Sequence, residues 1–424
     1  MKMILFLLIL SFNSTAKLGV HKLSSLDISN NKELRTLYKL IKNAQVVGIG
    51  ESGHASAGFL KARTKIIKGL VEDKGYRLIL LEQGYVKTNQ INNYLQLCHS
   101  GAQTDEEFQK TLRSLDDIYS NQSTKELVLW LCGFNKKAKE PVRFHGMDQW
   151  EVPWVNRDII KQGIELTESE EFSRVYDLAE KNCFAWQIND WGDGPELASW
   201  RYILDTWRLQ TEEHRLCIGS LYNLKRIMSS YQSSDNEVVF SIKMALKVSY
   251  VYQMYRDLYI TDITRALNMR DDLQAYLVTK WMSKYNHNLK SIVLAHNIHI
   301  SKNQSKIIPP YPGGQFRWVG VRSTGENLVG HYGDKYKSIA LSGYEVSSSR
   351  DGDYPVLDDK SALDYKLAKY GDYLIVNPKT KWISKKKWWL HNENQPMFFN
   401  PSKQYDAIFF VKKSSKAQRL LFRD

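Results

Sequence analysis

Apolar residues gather in six short runs: "AQVVGIG" (44–50), "RLILLE" (77–82), "PVRFHG" (141–146), "SIVLAH" (291–296), "SIALSGYEV" (338–346) and "AIFFVK" (407–412). Runs of this length predict buried strands of the parallel type. Between them the period changes. Over 55–73, Phe59, Ile66, Ile67 and Leu70 share one helical face, and 240–285 reads as one long helical stretch. Strands alternating with helices predict an α/β fold, with a largely parallel central sheet flanked by helices. From about 90 to 285 strand signals fade, apart from the one near 142, which predicts an inserted helical lid region. Within it, "WQINDWGDGPELASWRY" (186–202) reads either as a turn at a pocket mouth or as an aromatic-packed connection.

Charged and titratable residues stand where these strands end. The stretch "VGIGESGH" (47–54) closes an apolar run with Glu51 and places His54 three residues later. On a continuing strand those two side chains would face opposite sides, so only a strand-to-helix turn brings them together. Glu82 ends the second run. His296 ends the fourth, with His299 three residues on in "AHNIHI", and Asp148 follows the third in "FHGMD". In an open α/β sheet, ligands bind beyond the carboxyl ends of the strands, so convergence of these groups on one edge is the pattern of a site. Arg63 falls on the apolar face of the helix after Glu51. Buried there, it needs a carboxylate, and Glu51 and Glu82 are the candidates. His145 neighbours Asp148 and stays open between the site and the core. His99, His214 and His287 read as surface or satisfied core histidines.

Composition narrows the class. The 424 residues are 43% hydrophobic and 12% aromatic, enough for a large core and unlike a disordered or fibrous chain. Without a linker, repeat or low-complexity tract, residues 17–424 read as one domain carrying the helical insertion at about 90–285. The net charge of +13 is spread along the chain. The basic run "SKKKWWLH" (384–391) reads as a solvated face, and no nucleic-acid-binding motif accompanies it.

At the amino terminus, Lys2, the apolar run Met3 to Leu10 and Ser14-Thr15-Ala16 form a signal-peptide pattern over 1–16, with Lys17 as the mature start. The run is far short of the roughly 20 residues that a membrane span needs. Export to the periplasm or the extracellular space, with no membrane span left after cleavage, is the expectation. Four cysteines then permit disulfides. Local pairs (Cys98 with Cys132, Cys183 with Cys217) would each close a helical hairpin, and four buried free thiols remain the alternative. There is no C-x-x-C.

"GIGESGH", "LLEQGY", "FHGMD", "NMRDDL", "LAHNIHIS" and "STGENLVGHYGDKYKSIAL" occur in an order that resembles the erythromycin esterase family, from about residue 40 to 345. The resemblance implies a hydrolase of a carboxylic ester or macrolactone, with macrolides as the substrates of the family's resistance members. It implies that His54 is the general base that activates water and that Glu51 helps to hold that water. Arg63, Glu82, His296 and His299 would line the same site, with no metal and no cofactor. Two departures stand out. Resistance members are typically cytosolic, and Ala55 stands where many members have glycine.

The residues themselves allow the same chemistry. Histidine titrates near neutrality and can take a proton from water during attack. Without a G-x-S-x-G elbow the serine route lacks its motif. Other readings compete. His54, His296 and His299 with a carboxylate also match a zinc or manganese set, although no H-E-x-x-H is present. An exported binder of a haem-like ligand is a third reading, against which the pocket's carboxylates count.

Overall fold

All six apolar runs are strands in the computed structural model, which describes residues 18–27, 31–116, 118–149, 153–184, 211–232, 236–307, 320–393 and 396–420. The signal-peptide pattern over 1–16 and the stretch 186–202 lie outside the described residues. The strands, in chain order, are β1 (Val20–Lys22), β2 (Val46–Ile49), β3 (Leu78–Gly84), β4 (Arg143–Asp148), β5 (Ser291–Leu294), β6 (Tyr336–Ser348), β7 (Gly352–Asp353), β8 (Tyr373–Val376), β9 (Trp388–Leu390), β10 (Met397–Phe399) and β11 (Ala407–Ser414).

One sheet runs in the order β1-β8-β11-β6-β2-β5-β3-β4, with β7 paired to β6, and β9 and β10 form a separate ribbon. The pairs β6–β11, β2–β6, β2–β5 and β3–β5 are parallel. The short β8 and β1 add antiparallel partners at one edge. The fold is therefore α/β with a largely parallel sheet, as the alternation of patterns predicts. The edge strand β1 and the ribbon strands are only three residues long, too short for a periodic signal.

Side chains alternate across the sheet. Val47 and Ile49 share a core with Phe59, Ile66, Ile67 and Leu70 of helix Ala57–Lys74. On the other face, Gly48 lies under Ile300 of the short helix Asn297–Ile300. Helices thus cover both faces, which is why the strands are apolar at consecutive positions.

Contacts divide the chain into two compact units. The first holds residues 1–82, 90–145 and 285–424, and the division falls within β3 and β4. The second holds 83–89 and 146–284, with a helical core of its own that includes Phe172, Phe184, Leu221, Leu224 and Ile242. The helix-like stretch 240–285 is occupied by two helices, Glu237–Thr261 and Ile263–Tyr285. Asp262 leaves helical geometry and its carboxylate accepts from the Arg265 backbone N–H, starting the next helix as an N-cap. Among the described residues, no helix is long and apolar enough to cross a membrane. In the basic run, Lys386 stacks its ammonium 3.8 Å from the centre of the buried Trp388 ring.

The cysteines pair locally. Cys98–Cys132 lies in the first unit and Cys183–Cys217 in the second, each closing a separation of 34 residues. By loop entropy, replacing Cys98 and Cys132 together with serine should lower the unfolding free energy by about 3–4 kcal/mol in chemical denaturation. A non-reducing peptide map should show the same two local links; crossed links would refute the pairing.

Candidate functional site

The register of three neighbouring strands sets the site. Ile49 of β2 lies beside Leu294 of β5, which lies beside Leu81 of β3. The next one or two residues on each strand are Glu51, His296 and Glu82, so these groups leave the sheet side by side. Gly50 allows the turn after β2, because a Cβ there would stand 2.1 Å from Asn297 Oδ1. Asn297 needs that space. Its side chain donates to Leu341 O at 2.8 Å and accepts from Leu341 N, tying the β5 turn to β6.

The chain then turns into helix Ala57–Lys74 through Ala55, whose φ of +50° is left-handed. Glycine adopts that geometry without cost, which gives a physical reason for glycine at the position and makes alanine a mild strain here. The turn brings His54 Nδ1 to 2.8 Å from Glu51 Oε1. The other Glu51 oxygen lies 3.2 Å from Arg63 Nη2. Glu51 and Arg63 are both buried. Of the two partners open to Arg63, Glu51 is the one it takes, and its guanidinium also donates to Ala295 O.

Around β5, Glu82 accepts the His296 backbone N–H at 2.7 Å and lies 3.1 Å from His299 Nε2. His296 caps its short helix by accepting the Ile298 N–H at Nδ1. That bond leaves the imidazole proton on Nε2, which is buried and has no hydrogen-bond partner among the described residues. The His54 and His296 rings sit 5.2 Å apart.

These surroundings push the two histidines in opposite directions. Burial opposes charge on His54, but the hydrogen bond and charge of Glu51, with Glu393 and Glu82 beyond, hold its pKa above the usual value. Burial, with the charge of His54 beside it, lowers His296 to about 3. Burial would raise Glu51, yet Arg63 and then His54 outweigh it and keep the carboxylate ionised. The arrangement therefore sets side by side two histidines of opposite shift, His54 held above the ordinary imidazole pKa and His296 held neutral.

Glu51, His54, Arg63, Glu82, His296 and His299 thus come together in the first unit. Asp148 belongs to the second unit. It is buried there, accepting from Arg270 Nε at 3.1 Å and Gln274 Nε2 at 2.9 Å. That ion pair joins "FHGMD" to "NMRDDL". His145 stacks on Tyr285 and hydrogen-bonds its hydroxyl at 2.7 Å. His99 hydrogen-bonds Asn135 O.

Sequence reading missed Glu393 and His391. They follow β9 directly, His391 at the end of the stretch read as a basic face and Glu393 just beyond it. One Glu393 oxygen lies 3.8 Å from both His54 Nε2 and His296 Nε2. The available signal was "LHNEN", an imidazole and a carboxylate two apart after an aromatic strand. Among the described residues, no group of three or more His, Cys, Asp or Glu is placed to hold a metal ion.

The sequence profile described as erythromycin esterase matches residues 71–414. Erythromycin esterase type II of Escherichia coli is 24% identical over 345 residues, covering 78% of this chain and 76% of that one. Erythromycin esterase type I of Escherichia coli is 24% identical over 285 residues, 64% of this chain and 65% of that one. Among solved structures, a Bacillus cereus protein superposes with a TM-score of 0.77 at 17% identity, covering 96% and 97% of the two chains. A histidine-to-asparagine mutant of erythromycin esterase EreC, in its open conformation, superposes with a TM-score of 0.67 at 19% identity, covering 92% and 95%.

Two measurements follow from the geometry. In an NMR titration of the histidine rings, His54 should titrate above 6.5, and His296 should stay neutral from pH 5 to 9. Arg63→Leu should cost about 3–5 kcal/mol of stability, because it strands the buried Glu51 charge. A loss below about 1 kcal/mol in denaturant unfolding would mean that the pair is not buried as described.

Proposed function

Because the chain belongs to the erythromycin esterase family, a family of hydrolases acting on small-molecule substrates, we propose that it cleaves a carboxylic ester or macrolactone by general-base activation of water. The observation that carries this is the buried Arg63–Glu51–His54 line beside a neutral His296.

His54 donates its Nδ1 proton to Glu51, which leaves the Nε2 lone pair to accept a proton from water. Water oxygen attacks the acyl carbon. The imidazolium that forms is stabilised by Glu51, and it returns its proton to the departing alkoxide. The products are an acid and an alcohol, and the histidine ends neutral. Glu51 orients the ring and never needs to be protonated, because Arg63 keeps it anionic. His296 offers its Nε2–H to the developing oxyanion; a good donor of this kind contributes about 3 kcal/mol. Glu82 holds that donor in place through the His296 backbone, and His299 Nε2 lies 3.1 Å from the Glu82 carboxylate.

Macrolides are the first substrate class to test, given the names of the curated relatives, and a contribution to macrolide resistance would follow from their cleavage. Export is part of the same reading. Two disulfides suit an oxidising compartment, and the amino-terminal pattern supports it.

The test is mass spectrometry of erythromycin and a panel of simpler esters and lactones incubated with the protein, with and without a chelator. Gain of one water that the chelator does not affect is expected. His54→Ala should remove turnover by at least about 100-fold while the fold is kept. Near-wild-type turnover in a folded His54→Ala protein would sink the mechanism. Below the raised His54 pKa the base is protonated, so kcat/KM should fall on an acid limb that lies above pH 6.5.

A further inference from the structure

The loop after β9 is built against the candidate site. His391 N donates to the buried Asp364 at 2.7 Å, and the His391 ring packs on Tyr354 at 5.2 Å between centres. Tyr354 in turn donates to Asp351 at 2.7 Å and packs over Gly53, where a Cβ would stand 2.3 Å from the ring. Glu393 N donates to Ser52 O at 2.7 Å. These contacts hold Glu393 at a φ of +47°, a left-handed geometry that a non-glycine residue keeps only when its surroundings enforce it. The result is a carboxylate oxygen equidistant, at 3.8 Å, from His54 Nε2 and His296 Nε2. Its side chain remains 38% exposed.

We propose that Glu393 is a second carboxylate of the reaction, which accepts a hydrogen bond from the other hydrogen of the attacking water and supplies countercharge to the His54 imidazolium. This rests on the hydrolase reading above. The distance of 3.8 Å is too long for a direct hydrogen bond but leaves room for one oxygen to contact both groups. Water held there donates one hydrogen to His54 Nε2 and the other to Glu393 Oε1. On attack, the first goes to His54 and later to the alkoxide, and the second remains on the new carboxyl group until it ionises into solvent. Glu393 itself is not consumed.

The other charged and titratable groups around this position are already engaged. Glu51 is paired with Arg63, Glu82 lies beside His299, and Asp351 has Arg350 at 3.6 Å. Burial holds His296 and His391 neutral at about 3 and about 4. Burial raises the Glu393 carboxyl while His54 pulls it back. Among the described residues, Glu393 is therefore the acid placed to act on His54 Nε2.

Two readouts on the full chain test this, with Glu393→Gln removing the charge at constant shape. Without any substrate, the His54 imidazole pKa followed by NMR should drop by about half a unit or more in Glu393→Gln. Glu393→Asp should retain most of the wild-type value. An unchanged His54 pKa in Glu393→Gln overturns the proposal. On any ester that the wild type hydrolyses, Glu393→Gln should lose about 10–100-fold in kcat with KM little changed, and its acid limb should move to lower pH. A raised KM with an unmoved limb would make Glu393 a binding residue only and also overturn the proposal. If His54→Ala abolishes turnover while Glu393→Gln behaves as wild type, this inference fails and the hydrolase reading stands. If no ester is turned over, that reading fails, and the substrate-free titration still decides whether Glu393 acts on His54.

Discussion

Glu51 carries a negative charge at the end of a buried strand, with Arg63 on one oxygen and His54 on the other. A carboxylate taken out of water costs several kcal/mol unless it is paired and hydrogen-bonded, so each of the three groups depends on the other two. Arg63 can lie on the apolar face of helix Ala57–Lys74 only because Glu51 meets it. Glu51 can stay ionised only because Arg63 outweighs its burial. His54 keeps its lone pair on Nε2 only because its Nδ1 proton is claimed by Glu51. The helix packing, the strand end and His54 are thus one electrostatic unit.

The sheet register adds the second histidine. His54 and His296 are the same residue type, 5.2 Å apart, yet one is held above its ordinary pKa and the other far below it. The difference comes from what each ring touches. His54 faces a carboxylate, whereas the Nδ1 of His296 is occupied by a backbone N–H and its charged form is opposed by burial and by His54. Pushing two neighbouring titratable groups apart is how a protein separates an acid–base role from a neutral donor role at one pH. Glu82 secures that division by fixing the His296 backbone.

Charge at a strand end does not by itself mean chemistry. Asp148 ends β4 just as Glu82 follows the apolar residues of β3, but Arg270 and Gln274 consume its carboxylate inside the helical unit. Glu393 shows the reverse case. It sits just past β9, and the fold brings it to within 3.8 Å of two site histidines. What separates the two acids is the partner each one meets, and a partner far away in sequence leaves no local trace.

Much of this protein was legible in its amino-acid order. The six apolar runs declared the strands, because burial on both faces removes polar residues from consecutive positions. Glycine at 50 followed by Glu51 and His54 declared the turn, because three-residue spacing pairs side chains only where a strand gives way to a helix. "HNIH" placed His296 and His299 at a second such turn, and Arg63 on an apolar face demanded a buried acid. Periodicity and local spacing are short-range properties, so a single chain displays them. Tertiary structure alone decided which carboxylate Arg63 takes, which histidine stays neutral, that Asp148 is spent on an internal ion pair, and that Glu393 reaches the site. It also decided that β1 and β8 extend the sheet antiparallel and that Asp262 splits the long helical stretch. Those outcomes depend on strand register and on contacts between residues far apart in sequence, where burial and partner charge set the energy and the local pattern carries no record of either.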